Sequence, residues 1–330
     1  GNSDGALSNR NMVINGSMAV AQRGNVAVTP SAVVYGGADR WRMYPNVSGS
    51  ASSTVAQTAV AWTESKFAQG LTATTTSAAG SLLFMQRIEA VNTSHIASNK
   101  VTLQFKLAHD VGSTLTVQLL LQRPTNTADD YSATTDVLGA TTVGTCPTGT
   151  SSGTLFTYTS DTLTSTDVSK GLQIQIRVVT TAAVTNKNFY LGDVQLELGD
   201  TATPFEHISY GDQLQKCQRY YYQKDYTINT YEPIKFPCWF GSTQTLTGEW
   251  VHPVTMRVPP TFSHNGVGNF RLNDSRGNDQ VCDSITRTGG NVNETWLTFG
   301  GVNTSFTIGY CGYLNTQAAN DAQITFDAEL

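Results

Sequence analysis

The sequence predicts an all-β protein of antiparallel sheets that is interrupted once by a short helix. The first indication is an alternation of apolar and polar residues with a period of two, as in "VTLQFKLAH" (101–109) and "GLQIQIRVV" (171–179). Strands with one apolar and one polar face belong to antiparallel sheets that are solvated on one side. The second indication is the set of Gly, Ser, Thr and Asn clusters between these segments, which are typical of turns. Two packed sheets are the natural outcome.

A third observation separates the chain into parts. The segment "SYGDQLQKCQRYYYQK" (209–224) spaces four apolar residues by four, three and four positions, which is one stripe of a helix: Tyr210, Leu214, Cys217 and Tyr221. Ser209 or Asp212 can cap its start. A helix this short is marginal alone in water, so the stripe must pack on a neighbouring domain or on copies of itself.

Aromatic and β-branched segments return after the helix, as in "ETWLTF" and "ITFDAEL", and predict a second β-sandwich. We therefore predict a β-sandwich domain at 1–208, a connector helix at 209–224 and a C-terminal β-sandwich at 225–330. The four stripe residues are the predicted interface of a homotrimer.

The composition excludes two classes of partner. Charged residues make up 14% of the 330 residues, well below the usual quarter, and the net charge is −5. No basic footprint for nucleic acid is present. No apolar run approaches the roughly 18 residues that would predict membrane insertion. A surface made polar by Thr, Ser, Asn, Gln and Gly suits extracellular and virion proteins.

The five cysteines are odd in number and irregular in spacing, and no CxxC pair exists, which argues against a zinc ribbon. We interpret them mainly as small buried apolar residues. A disulfide among the last three, Cys238, Cys282 and Cys311, remains an open alternative.

No motif predicts an enzyme. The chain lacks a phosphate loop and a zinc-binding pattern, and its two GxSxG strings, GNSDG (1–5) and GTSSG (149–153), lie in polar segments rather than between a strand and a helix. His252 opens "HPVTMRVPPTF" (252–262), but no cysteine or acidic residue lies near it at ligand spacing. The prolines of this segment, at 253, 259 and 260, are typical of strand edges and bulges. We therefore predict a structural or solvated role for His252.

Several separated segments together resemble tail-fibre and receptor-binding proteins of tailed bacteriophages and prophages. They are "NMVINGSMAVAQRG" (11–24), "ADRWRM" (38–43), "LGDVQLELGDTATPFEHISYGDQLQKCQRYYYQ" (191–223), "HPVTMRVPPTF" and the final "ITFDAEL". The resemblance implies a non-enzymatic protein of the virion tail fibre, assembled in the host cytoplasm. Its partners would be other virion tail proteins and a host cell-surface polysaccharide.

The first domain also resembles jelly-roll carbohydrate-binding modules. In those modules an early Asn-Gly segment and a late Phe-Tyr strand lie side by side and often hold a structural calcium. Here the segments are 15–19 and 189–194, where Ala19 replaces a glutamate and only Asp193 keeps a carboxylate. Calcium takes six or more oxygen ligands, so Asp193 is only a weak candidate ligand and we expect no cofactor.

Sugar rings present an apolar C–H face that a flat aromatic side chain can cover, while polar side chains bond the hydroxyls. The candidate carbohydrate-binding residues are Trp62, Trp239, Trp250, Trp296 and Tyr310. Each tryptophan of this kind is more often part of a core or an interface than of a sugar-binding surface. Two other functions stay open: a structural fibre or decoration subunit without a ligand, and a depolymerase that cleaves the glycan.

The oligomeric state is directly testable. We expect multi-angle light scattering to give three times the mass of one chain, because three copies can bury the helix stripe together. A single-chain mass at micromolar concentration would contradict the trimer.

Overall fold

The computed structural model describes residues 10–29, 32–226, 233–234, 236–274, 276, 278–301, 306–317 and 321–330. Its contacts divide the chain into two compact units. The first comprises Gly1–Leu214 together with Leu330, and the second comprises Gln215–Glu329. The division falls inside the segment that the sequence predicts to be a connector.

The first unit contains two six-stranded sheets whose strand pairs are all antiparallel. In spatial order, sheet 1 contains β1 (Val26–Val28), β4 (Ala51–Ala59), β5 (Phe67–Thr76), β12 (Lys187–Leu198), β7 (Val101–His109) and β10 (Gly149–Thr159). Sheet 2 contains β2 (Val34–Tyr35), β3 (Arg42–Val47), β6 (Gly80–Ile88), β11 (Leu172–Thr180), β8 (Leu115–Pro124) and β9 (Thr134–Cys146). The predicted jelly-roll β-sandwich is confirmed.

The core of the first unit lies between the inner faces of the two sheets. The alternation seen in the sequence decides which residues enter it, since Leu103 and Phe105 of β7 and Ile174 and Ile176 of β11 are all fully buried. Trp41 is also fully buried, and its indole Nε1 donates to the carbonyl of Asn15 at 3.1 Å. Three short helical segments lie in the connections: α1 (Ser165–Val168) and the 3-10 helices Ala90–Asn92 and Ser94–Ile96.

The segment after residue 10 lies beside β12, as the resemblance to carbohydrate-binding modules predicts. The amide of Val194 donates to the carbonyl of Gly16 at 3.0 Å. A Cβ at Gly16 would stand 2.0 Å from the carbonyl oxygen of Val194, so only glycine allows this approach. The Asn11 amide side chain adds a hydrogen bond to the same Val194 oxygen at 2.9 Å.

The second unit is a sandwich of a three-stranded and a seven-stranded antiparallel sheet. The small sheet contains β13 (Tyr221–Tyr226), β22 (Ala322–Asp327) and β17 (Thr261–His264). The large sheet contains β14 (Pro233–Ile234), β21 (Gly312–Thr316), β18 (Phe270–Asp274), β19 (Asp279–Gly290), β20 (Glu294–Gly301), β16 (Thr245–Val251) and β15 (Cys238–Phe240). A 3-10 helix, Val267–Asn269, precedes β18.

The large sheet is rolled. An isolated bridge joins Trp239 of β15 to Cys311, next to β21, so strands from opposite parts of the sheet meet. One apolar cluster fills the space between the two sheets, and Phe326 lies at its centre with aromatic rings around it at centroid distances of 4.8–6.0 Å.

The predicted helix exists but is shorter than 209–224. The helix α2 covers Tyr210–Gln218, and Ser209 caps it: its hydroxyl accepts from the Asp212 amide at 3.2 Å and donates to the Asp212 carboxylate at 2.6 Å. It stops because residues 221–226 form β13 and pair with β22. Backbone pairing in a sheet therefore overrides the helical spacing of the aromatic residues.

This shortening corrects the predicted interface set. Tyr221 is a strand residue with 7% exposure, and Cys217 is fully buried, so both are enclosed within the single chain. Tyr210, at 59% exposure, and the partly buried Leu214 keep accessible surface. The trimer itself stays a prediction.

All five cysteines are thiols, so the structure contains no disulfide among the last three. Four are buried and Cys311 is exposed, which agrees with their interpretation as mainly small apolar residues. Within the described residues, no helix has the length and apolar character that crossing a membrane requires.

Candidate functional site

Exposure separates the five aromatic candidates. Trp239, Trp296 and Tyr310 are 49%, 48% and 46% exposed, whereas Trp62 is half-buried. Trp250 is buried, and its ring contacts those of Phe236 and Phe326 at centroid distances of 5.5 and 5.9 Å. The prediction that Trp250 binds sugar is therefore wrong, because β16 directs it into the core.

Trp239 and Trp296 lie on the same outer face of the large sheet. In the register, Trp239 is opposite Thr247, Thr247 is opposite Thr298, and Trp296 is opposite Glu249. All five side chains alternate with buried residues and therefore point outward, and we call this set the aromatic face. The hydroxyls of Thr247 and Thr298 are 3.2 Å apart, within hydrogen-bonding distance, between the two indoles.

The ring of Trp296 is held flat against the sheet. A Cβ at Gly289, which pairs with Trp296, would lie 2.7 Å from a carbon of the indole, so the ring occupies the space above this glycine. The indole Nε1 donates to Oε1 of Glu294 at 3.1 Å, which fixes the rotation of the ring. With one ring face against Gly289 and the side chain 48% exposed, the other face is open to solvent.

Two carboxylates border this ring. Glu249 lies opposite Trp296, and a hydrogen bond and charge repulsion from Glu294 raise the pKa of Glu249 above its ordinary value. Asn291 donates to the Glu294 carboxylate at 3.2 Å. The aromatic face thus combines an exposed, apolar indole ring with carboxylate and hydroxyl groups that can form hydrogen bonds with sugar hydroxyls.

The remaining two aromatic candidates are less suited to stacking. The guanidinium of Arg276 lies 4.1 Å from the centre of the Tyr310 ring and covers one of its faces. Trp62, in the first unit, lies over Gly153, and its Nε1 donates to the carbonyl of Thr150 at 3.1 Å. Trp62 therefore packs against β10 of its own unit.

A second polar surface, which the search for aromatic residues misses, lies on the outer face of sheet 2. We call it the arginine–glutamine face, and its polar members are Arg42, Arg87, Gln122, Gln173, Gln175 and Arg177. The period-two pattern of "GLQIQIRVV" already places three of them on the solvated side. It does not predict that Gln173 and Gln175 are only 4% and 6% exposed.

The calcium candidate Asp193 has a lysine beside it instead. The Lys106 ammonium contacts the Asp193 carboxylate at 2.9 Å and the carbonyl oxygen of Trp62 at 3.1 Å. The amide of Glu64 donates to the same carboxylate at 3.0 and 3.1 Å. These residues do not fit a calcium ion, since the cationic position beside the carboxylate is taken by the ammonium. Among the residues that the structure describes, no cluster of three metal-ligating side chains occurs.

His252 is a buried structural residue. Its Nε2 is 3.1 Å from the hydroxyl of Thr295, and its ring meets Phe326 edge-on at 4.8 Å. Burial, and secondarily the charge of Arg287, lower its pKa to about 4. The prolines that follow it lead into β17, which is an edge strand of the small sheet, as their pattern predicts.

No protein-family model and no curated protein matches the sequence. Solved structures do match. The xylan-binding CBM22-2 domain of Xyn10C from Paenibacillus barcinonensis is 13% identical, with 48% of this chain and 91% of that domain aligned and a TM-score of 0.35. A putative sugar-binding protein from Bacteroides thetaiotaomicron is 14% identical, with coverages of 57% and 99% and a TM-score of 0.37. Similarity at this level does not assign a ligand to this chain.

The contact between Lys106 and Asp193 is testable by substitution. We expect Lys106→Met to lower the free energy of unfolding by about 3 kcal/mol, because it leaves a buried carboxylate without its counterion. Urea denaturation measures this change, and Lys100→Met, an exposed lysine of the same unit, serves as the control. Adding Asp193→Asn to Lys106→Met should recover part of the loss. A melting temperature that calcium raises and a chelator lowers would contradict the assignment of the ammonium to this position.

His252 should make stability depend on pH. Its folded pKa of about 4 lies below the unfolded value of 6.5, so only the unfolded state binds the proton between these values. Stability is then fully present above pH 6.5 and falls by about 2 kcal/mol as the pH drops to 4, after allowance for solvent screening. Denaturation at several pH values measures the slope. In His252→Gln, which cannot titrate, the free energy of unfolding should change less with pH between 6.5 and 4. The same pH dependence in the variant and the unmodified chain would contradict its attribution to His252.

Proposed function

We propose that this protein is a non-enzymatic carbohydrate-binding adhesin of a bacteriophage tail fibre, which attaches the virion to a host cell-surface polysaccharide. Two independent supports carry the two parts of the proposal. The segments at 11–24, 38–43, 191–223 and 252–262 and the final "ITFDAEL", which resemble tail-fibre proteins, support the location in the virion. The aromatic face supports the carbohydrate ligand.

The decisive observation is the orientation of Trp296. A pyranose ring stacks through its C–H face on a flat aromatic surface, and here one indole face is fixed against Gly289 while the other is open. Because the ring is held before binding, little conformational entropy is lost when a sugar stacks on it. Trp239, two strands away on the same face, offers a second exposed indole for a further unit of a glycan chain.

The carboxylates next to Trp296 favour binding over cleavage. A retaining glycosidase holds its two carboxyl groups about 5 Å apart, and an inverting enzyme holds them farther apart, on opposite sides of the scissile bond. Glu249 and Glu294 are close enough to share a hydrogen bond, so no glycosidic bond fits between them. This pair is therefore suited to accept hydrogen bonds from sugar hydroxyls.

A trimer would make weak sites effective. One stacked sugar supplies little affinity, but three copies on one fibre that engage a repeating polymer convert later contacts into intramolecular ones. The proposed oligomer and the proposed ligand therefore support each other physically, and each is testable alone.

The aromatic face is tested by binding of polysaccharides purified from the host surface, measured by biolayer interferometry with immobilised glycan. We expect Trp296→Ala to weaken binding tenfold or more, because the stacking plate is lost, and Trp239→Ala to weaken it less. Ile308→Ala, which removes an exposed apolar side chain outside the aromatic face, is the matched control and should bind as the unmodified chain.

Other outcomes would support the competing functions. Absence of binding by an intact oligomer would contradict the adhesin and favour a structural fibre subunit. Release of new reducing ends from the same polysaccharide would show cleavage, and the protein would then be a depolymerase.

A further inference from the structure

The arginine–glutamine face of sheet 2 has an unusual composition for the outside of a sandwich. Its centre is an apolar floor of Leu83, Met85 and Leu120, which are 3–5% exposed although they point away from the core. Long polar side chains surround this floor. In the register, Arg42 shares a row with Met85 and Gln175, while Arg177 shares the next row with Leu83.

A chain of hydrogen bonds fixes the glutamine amides. Nε2 of Gln122 donates to the Asp136 carboxylate at 2.8 Å, which sets the orientation of the Gln122 amide. Its Oε1 then accepts from Nε2 of Gln173 at 2.9 Å and from Nε2 of Gln175 at 2.5 Å. The Oε1 of Gln173 in turn accepts from Nε of Arg87 at 2.9 Å and from Arg42 at 3.3 Å.

Three buried polar atoms remain outside this network. Oε1 of Gln175, Nε of Arg42 and Nε of Arg177 have no hydrogen-bond partner among the described residues. Gln175 is more than nine-tenths buried, and its amide cannot turn over without losing its bond to Gln122. A buried polar group without a partner destabilises the fold, so a binding partner of suitable chemistry is the natural explanation for this set.

Most of the charge of the face is also uncompensated. In the described part of the chain, no carboxylate side chain forms an ion pair with Arg42 or Arg177, although the chain as a whole is acidic, and Arg87 donates to the main-chain oxygen of Leu330. Burial, and secondarily the positive charge of Arg42, lower the pKa of Arg87 to about 10.

Aromatic rings order the arginines without neutralising them. The guanidinium of Arg42 lies 5.6 Å from the Tyr35 ring centre, and that of Arg87 lies 4.6 Å from the Tyr131 ring centre. Arg87 and the hydroxyl of Tyr35 both donate to the main-chain oxygen of Leu330. This corner of the face therefore already binds one oxygen acceptor. The Nε groups of Arg42 and Arg177 remain available to donate to a second oxygen acceptor.

We propose that the arginine–glutamine face binds an acidic sugar chain, with Arg177 and Arg42 bonding the carboxylate of a uronic acid unit. Gln175 Oε1 accepts a hydrogen bond from a sugar hydroxyl. A neutral glycan would leave the arginines uncompensated, whereas a carboxylate matches both their charge and their planar donors. This site lies in the first unit and does not depend on the aromatic face of the second.

The test uses the full chain and isothermal titration with four probes: hexagalacturonate, hexaguluronate and the carboxyl-reduced form of each. We expect at least one acidic hexamer to bind tenfold or more tightly than its reduced form, with affinity that falls as salt rises. Arg177→Met should weaken this binding tenfold or more and Gln175→Leu several-fold. Trp296→Ala should leave it unchanged, which separates this site from the aromatic face.

Lys100→Met is the matched control, because it removes one positive charge from an exposed position of the same unit, and its binding should be unaltered. Since the Arg177 Nε has no partner, Arg177→Met should fold with an unchanged or higher melting temperature. Equal affinity for the acidic and reduced hexamers, or no binding of either acid, would overturn the proposal. Unchanged binding by Arg177→Met with a lowered melting temperature would assign Arg177 a structural role and overturn it as well.

Discussion

The structure depends on one geometric constraint, which is that successive side chains of a strand point to opposite faces of its sheet. In each unit this constraint sends one set of residues into the core between that unit's own two sheets and the other set outward. Phe105 and Ile174 fill the sandwich of the first unit, and Phe326 fills that of the second. The members of the aromatic face and of the arginine–glutamine face stand on the outward set of the same strands, so the rigidity of the sheets is transmitted directly to the two proposed binding surfaces.

The two proposed binding surfaces differ in how their side chains are held in place. On the aromatic face, a glycine under Trp296 and one hydrogen bond hold an apolar ring flat. On the arginine–glutamine face, the bond from Gln122 to Asp136 orients the glutamines through a network and leaves selected atoms unpaired. Both arrangements hold side chains in place before binding, so that a ligand would remove less conformational entropy. The first arrangement presents a flat apolar ring, and the second presents polar and charged groups.

The Lys106–Asp193 contact is a structural cross-link within the first unit. A carboxylate on β12 and a carbonyl in the loop before β5 are joined here by an ammonium group. A lysine supplies one positive charge and needs few ligands, whereas calcium would need several more oxygens than this segment provides. The early segment still lies against β12, because the main-chain bond between Val194 and Gly16 is independent of that choice.

Local patterns in the sequence were enough to predict the all-β class, a helix that begins near Ser209, and the inward sets of strands such as 101–109, because alternation and capping are local properties. The absence of ligand spacing around His252 also argued against a reacting site there. Tertiary structure decided the rest. Pairing with β22 ended the helix before Tyr221, and the side of the large sheet that packs on the core decided that Trp250 is buried while Trp239 is exposed. The unpaired arginines could not be predicted, since whether a guanidinium meets a carboxylate depends on neighbours that are distant along the chain and adjacent only across a folded sheet.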